Sequence, residues 1–146
     1  VGEMEKMPEY KVGMSAVLQK RIEESDTARG MGRDSLETLL ATPTYVDLMI
    51  RAAIEVLKPN FQYQSGFITV GTAMTFNHQA PSALGMTVSV KATLAKIDGN
   101  RFFFDIEAFD EVGVIGRGTH ERQMVKLQGL LDKVRERTAS LAHHIK

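Results

Sequence analysis

The sequence predicts an α+β fold in which a largely antiparallel sheet wraps against one buried helix. Three observations predict it. Residues 43–57 read as a helix that is apolar around most of its circumference, which marks a helix covered on most sides. Three later segments alternate apolar and polar residues with period two, so each has one wet face, as antiparallel strands do. The chain has 146 residues, about the length of one domain, so the helix has only these strands to bury it.

The elements follow in order as strand, helix, four strands, helix. Ala16 to Glu24 is a poorly patterned first strand, and Ser25 to Leu40 is irregular, with Gly30 and Gly32 as breakers. Thr42-Pro43 opens the helix. Thr42 is expected as its N-cap, and Pro43 suits the first helical position, where its missing N–H would be unbonded anyway. The helix stops near Leu57, before Pro59. Its charges Asp47, Arg51 and Glu55 lie four apart in one narrow stripe.

Within Phe67 to His78 the even positions Ile68, Val70, Thr72, Met74, Phe76 and His78 are expected on one face. In Gly85 to Ile97 the buried face holds Met86, Val88, Val90, Ala92 and Leu94; in Arg101 to Asp110 it holds Phe102, Phe104, Ile106 and Ala108. Directly paired residues share a face. The turn at Asp98-Gly99-Asn100 is therefore expected to be a three-residue loop, pairing Ile97 with Arg101 and Leu94 with Phe104. Val114 to Val125 is the last strand, loosened by Gly116 and Gly118. Leu127, Leu130, Leu131, Val134 and Leu141 then mark a C-terminal amphipathic helix.

Composition narrows the function classes. With no cysteine, the chain holds no disulfide scaffold, thiolate zinc site or cysteine nucleophile. Eighteen basic and eighteen acidic residues give zero formal charge, which argues against a dedicated nucleic-acid binder. The hydrophobic share of 43% and charged share of 25% are those of an ordinary soluble globule. No apolar run is long enough to span a membrane, and residues 1–11 lack the apolar core of a signal peptide. The expectations are one domain over 1–146, with 1–10 a flexible extension, no membrane contact and a cytoplasmic location. Residues 59–90 carry no Asp, Glu, Lys or Arg; they read as buried strand with tight loops, or as a surface facing a ligand or a second subunit.

Ile115-Gly116-Arg117-Gly118-Thr119-His120-Glu121-Arg122 resembles the IGxGTHER signature of the fluoroacetyl-CoA thioesterase-like family of hot-dog proteins. Gly71-Thr72, then His78, then Gly85 with Thr87-Val88, resembles that family's GT…H…G-x-T-V strand pair, and Leu40-Ala41-Thr42 the entry to its central helix. The similarity runs from about Leu36 to Thr138. The resemblance implies the hot-dog fold, hydrolysis of acyl-CoA thioesters, and homodimers with active sites at the subunit interface. It makes Thr42 and His78 catalytic, and Gly71 and Arg122 substrate-binding. The family's helix glutamate falls on Ile50, which cannot orient or charge-stabilise an imidazole.

Each of these residues also has a plain structural reading. Thr42 as N-cap would already accept a backbone N–H bond worth about 1 kcal/mol. The N–H groups of Thr44 and Tyr45 are then candidates to face a developing oxyanion. His78 ends an apolar strand face, where a lone histidine is commonly a hydrogen-bonded core residue; its near-neutral pKa equally suits a general base. Ile50 either marks a thioesterase with another carboxylate or none, or a protein that binds acyl-CoA without cleaving it and uses Ile50 to widen an apolar acyl pocket. Asp47 is the nearest other acid, but an ion pair with Arg51 accounts for it. Gly71 either admits substrate close to the backbone or relieves strand crowding. Arg122 either meets a CoA phosphate or acyl carboxylate, or is a solvated strand arginine. His120 reads as structural, and His143 and His144 as part of a frayed tail. No spacing of histidine with acid suggests a metal, no phosphate-binding glycine loop follows a strand, and no cofactor is implied.

Overall fold

A computed structural model describes residues 9–33, 38–61 and 66–144. Strand β1 (Ser15–Arg21) precedes helix α1 (Thr42–Leu57). Strands β2 (Phe67–Phe76), β3 (Thr87–Asp98), β4 (Arg101–Phe109) and β5 (Val114–Lys126) follow, and helix α2 (Leu127–His144) ends the chain. All strand pairs are antiparallel, in the order β1-β3-β4-β5-β2. The element order is the expected one. Residues 1–8 of the expected N-terminal extension lie outside the described residues; Tyr10, at its end, packs edge-on against Phe102 with ring centroids 5.2 Å apart.

The buried sheet face carries Val88, Val90, Ala92 and Leu94 from β3 and Phe102, Phe104, Ile106 and Ala108 from β4, as the alternation predicts. Helix α1 lays Tyr45, Leu48, Met49, Ala52, Ala53, Val56 and Leu57 onto that face, chiefly over β1 and β3. The helix is not covered all round, as its composition suggested. Val46 and Ile50 are half-buried and Ile54 is 37% exposed, because one sheet covers only one side of a cylinder.

Gly116 and Gly118 do not loosen β5; they let the helix approach it. A Cβ on Gly116 would lie 2.3 Å from both the Tyr45 hydroxyl and the Asn77 carbonyl oxygen, and one on Gly118 2.7 Å from Met49 Cε.

Two register expectations are corrected by bulges. The β3–β4 turn has two residues, not three: Asp98 pairs with Arg101 and Ile97 with Phe102. A bulge before Lys96 then restores Leu94 opposite Phe104. The facial argument fixed parity at the core but not where the extra residue sits. In β2 a bulge between Gly71 and Ala73 leaves Thr72 unmatched and reverses the alternation. Phe67, Thr69 and Gly71 therefore share a face with Met74, Phe76 and His78, and Ile68, Val70 and Thr72 do not. Period two survives only while each residue has one partner. Helix α2 forms where its apolar spacing predicts, but Leu127, Leu131, Val134 and Leu141 are exposed. The side chains of His143 and His144 lie outside the described residues.

Candidate active site

Thr42 is not the N-cap of α1. That place falls to Ala41, whose extended backbone precedes the helix and whose carbonyl accepts the Tyr45 N–H at 3.0 Å. Thr42 is the first helical residue and caps nothing, so its hydroxyl is available for another partner. That partner is His78: Thr42 Oγ1 lies 2.9 Å from His78 Nδ1. The Tyr45 N–H is occupied by Ala41, which removes it as an oxyanion donor. The Thr44 N–H, in the first helical turn, has no intrahelical acceptor and keeps that possibility.

His78 sits two residues beyond β2 and is held from below. Its ring stacks on Tyr45 with centroids 4.5 Å apart and planes inclined by 24°. Tyr45 is anchored in turn: its hydroxyl donates to the Asn77 carbonyl at 2.9 Å. Burial pushes the Tyr45 pKa up to about 12, so the phenol stays a donor. Burial also lowers the His78 pKa, so the imidazole is neutral at pH 7 with a lone pair to accept a proton. His78 Nε2 is buried and has no hydrogen-bond partner among the described residues. Among the described residues no acid is bonded to this ring. Asp47, considered from its spacing, pairs loosely with Arg51 at 3.9 Å on the exposed side of α1.

Thr42 and His78 line a cavity of about 610 Å³, together with Met31, Arg33, Leu39 and Pro81. The wall is mainly apolar, with the dyad supplying polar atoms, as a small-molecule site requires. Met31 and Arg33 come from the segment read only as irregular. Their place in the wall depends on chain path, which carries no periodic signal.

Gly71 and Arg122 are brought together elsewhere, directly opposite each other on β2 and β5. From Gly71 to His78 is roughly 20 Å of strand at about 3.3 Å per residue. Neither Gly71 nor Arg122 lines the Thr42–His78 cavity. Arg122 is not a solvated strand arginine. It is 7% exposed, and Thr69 accepts from it twice: Oγ1 from Nε at 3.2 Å, and the carbonyl from Nη2 at 2.9 Å. Ile50 is half-buried on α1, two helical turns from Thr42. Sequence reasoning missed Tyr45 and Thr69, since neither ring stacking nor cross-strand bonding has a local signature. Among the described residues no cluster of three or more metal-ligating side chains exists, and no helix is long and apolar enough to cross a membrane.

Comparison with known proteins gives this geometry a context. Residues 22–128 match the family described as fluoroacetyl-CoA-specific thioesterase. The fluoroacetyl-CoA thioesterase of Streptantibioticus cattleyicolor is 36% identical over 100 residues, covering 68% of this chain and 70% of the relative. A mutant of the fluoroacetyl-CoA thioesterase solved in complex with acetyl-CoA has a TM-score of 0.79 at 29% identity, covering 88% of this chain and 99% of the other. A hot-dog-like protein from Thermanaerovibrio acidaminovorans also gives 0.79 at 29% identity, covering 88% and 93%. The fold is therefore the hot-dog fold.

Proposed function

Since the chain belongs to the family of fluoroacetyl-CoA-specific thioesterases and is an acyl-CoA thioesterase, we propose that Thr42 and His78 are the groups that carry its hydrolysis. The carrying observation is the 2.9 Å contact between Thr42 Oγ1 and His78 Nδ1 at the wall of the cavity. The Thr42 O–H donates to Nδ1, and the lowered pKa leaves Nδ1 free to take the proton. Thr42 Oγ1 attacks the thioester carbonyl as its proton passes to Nδ1. The tetrahedral oxyanion faces the N–H of Thr44 at the positive end of α1. Collapse breaks the C–S bond, and the thiolate of CoA takes the proton back from His78. Water then gives a proton to His78 and attacks the acyl-threonine carbonyl; collapse breaks the C–Oγ1 bond, Thr42 Oγ1 takes that proton back, and the acid leaves.

The substrate class is a small or medium acyl-CoA, matched to the cavity volume. The reading of a non-hydrolysing acyl-CoA binder is not favoured, because the matched family and relative are thioesterases. Ile50 does not line the Thr42–His78 cavity within this chain. His78 Nε2 is buried without an acceptor among the described residues, the place where a carboxylate would steady the imidazolium.

Gly71 and Arg122 hold substrate, and they do so for the site of a second copy in a homodimer. Their separation from Thr42 and His78 along β2 supports this, as does the position of β2 at the sheet edge with unpaired backbone groups. The half-exposed Val46, Ile50 and Ile54 stripe on α1 gives such a pairing apolar area. A cytoplasmic location belongs to the same proposal. The test is release of free thiol from a panel of acyl-CoA esters. Wild type turns over at least one of them. His78→Ala lowers kcat by about 10²–10⁴-fold, and Thr42→Ser keeps most activity while Thr42→Ala loses it. Folded wild-type protein without turnover on any ester, or a His78→Ala variant with normal kcat, refutes the assignment.

A further inference from the structure

Arg122 is a buried cation with no carboxylate beside it among the described residues. None of the ion pairs among the described residues includes it. The adjacent acid, Glu121, bonds Thr72 and lies near Arg101, on the opposite face of β5. A buried charge is retained at a cost unless something completes its coordination. Of the five guanidinium N–H groups, Thr69 engages two and His120 a third, through Nη1 to Nε2 at 3.2 Å. Among the described residues nothing accepts from the remaining N–H on each terminal nitrogen.

His120 is built to accept that bond. Its Nδ1 lies 2.8 Å from the Ala73 carbonyl oxygen, which only an N–H can serve. Nδ1 therefore carries the ring proton, and Nε2 presents its lone pair to Arg122. The ring is 5% exposed, and burial foremost, with the Arg122 charge adding to it, lowers its pKa and keeps it neutral. The space above both groups is left open by Gly71. A Cβ there would lie 3.2 Å from His120 Cε1 and 3.4 Å from Arg122 Nη1. Gly71 is itself exposed and has no positive φ, so its backbone does not demand glycine.

We propose that His120 is a positioning residue: with Thr69 it holds the Arg122 guanidinium at the opening left by Gly71, with two N–H groups free for an anionic oxygen of the acyl-CoA. This rests on the reading of Arg122 as a substrate-binding group. The oxygen belongs either to a CoA phosphate or to a free carboxylate on the acyl chain.

The test compares KM and kcat for acetyl-CoA, which has only the phosphates, and for an adipoyl N-acetylcysteamine thioester, which has only the carboxylate. His120→Leu removes the acceptor and is expected to raise KM about 10-fold, with kcat within about twofold, for whichever substrate Arg122 grips. A rise with acetyl-CoA alone assigns the phosphate; a rise with the adipoyl thioester alone assigns the carboxylate. His120→Gln, whose amide offers both a donor and an acceptor, is expected to restore KM to within about threefold. Gly71→Ala closes the opening without backbone strain and raises KM for the same substrate, which keeps the idea testable if His120→Leu does not fold. Unchanged KM for both substrates in folded His120→Leu or in Gly71→Ala, or equal losses in the Leu and Gln variants, overturns the proposal. Arg122→Gln separates the levels. If it raises KM while His120→Leu does not, only the role of His120 fails; if it leaves KM unchanged, the reading of Arg122 fails first.

Discussion

Gly116→Ala is expected to damage the active site from the opposite side of the helix, and its size follows from distances already given. The added methyl would lie 2.3 Å from the Tyr45 hydroxyl and from the Asn77 carbonyl oxygen, the two groups joined by a 2.9 Å hydrogen bond. Relief requires Tyr45 to move, because the Asn77 oxygen belongs to backbone beside the strand. Overpacking costs about 1–3 kcal/mol, and the lost buried bond about 1 kcal/mol more. At about 2–4 °C per kcal/mol for a chain of this length, a loss of about 2–4 kcal/mol lowers Tm by roughly 4–16 °C. The Tyr45 ring carries His78 at 4.5 Å, so kcat falls as well. Thermal unfolding by circular dichroism measures the first effect and thiol release the second. Tyr45→Phe supplies the control: it deletes the same hydrogen bond and one of the clashing atoms, so the double variant loses less than the sum of the single losses, by about 1 kcal/mol. A Gly116→Ala protein with wild-type Tm, or strict additivity with Tyr45→Phe, refutes the packing of Tyr45 between β5 and His78.

Other expectations are more direct. Burial lowers the pKa of both His78 and His120, so each is deprotonated in the folded chain at a pH where the unfolded chain, near 6.5, begins to bind protons. Stability is therefore full above about pH 6.5 and declines as pH falls below it, towards the folded values; denaturant midpoints from pH 8 to 5 that stay flat or rise on acidification contradict this. The acid limb of kcat/KM has its midpoint below the ordinary histidine value if His78 is the base, and a midpoint above it excludes His78 in this environment. Ile50→Glu restores the family's residue at a half-buried site and is expected to raise hydrolysis; a variant that merely unfolds removes support for aligning Ile50 with that glutamate. Light scattering at micromolar concentration is expected to give twice the chain mass, and a strict monomer removes the shared site.

Residue types and their spacing determined a good deal by themselves. The apolar character of most of the circumference of residues 43–57, the alternation in β3 and β4 and the punctuation between elements are short-range properties. They suffice for element order and for which side of each central strand is buried. The resemblance of 115–122 to a known signature added the family and the names of Thr42, His78, Gly71 and Arg122. What sequence did not determine is where each of those side chains ends. Thr42 looked like a cap, and only the chain path that makes Ala41 the cap sends its hydroxyl to His78. Arg122 reads from sequence either as a substrate-binding group or as a solvated strand arginine, and only the β2–β5 register buries it against Thr69 and His120. The bulges at Thr72 and Ala95 shift one residue each, a local change that a period-two count cannot locate. The Thr42–His78 and Thr69–Arg122 contacts join residues 36 and 53 positions apart, where loop closure, packing and cross-strand pairing decide. Local propensity therefore wrote the elements, and only the tertiary structure decided which polar groups meet.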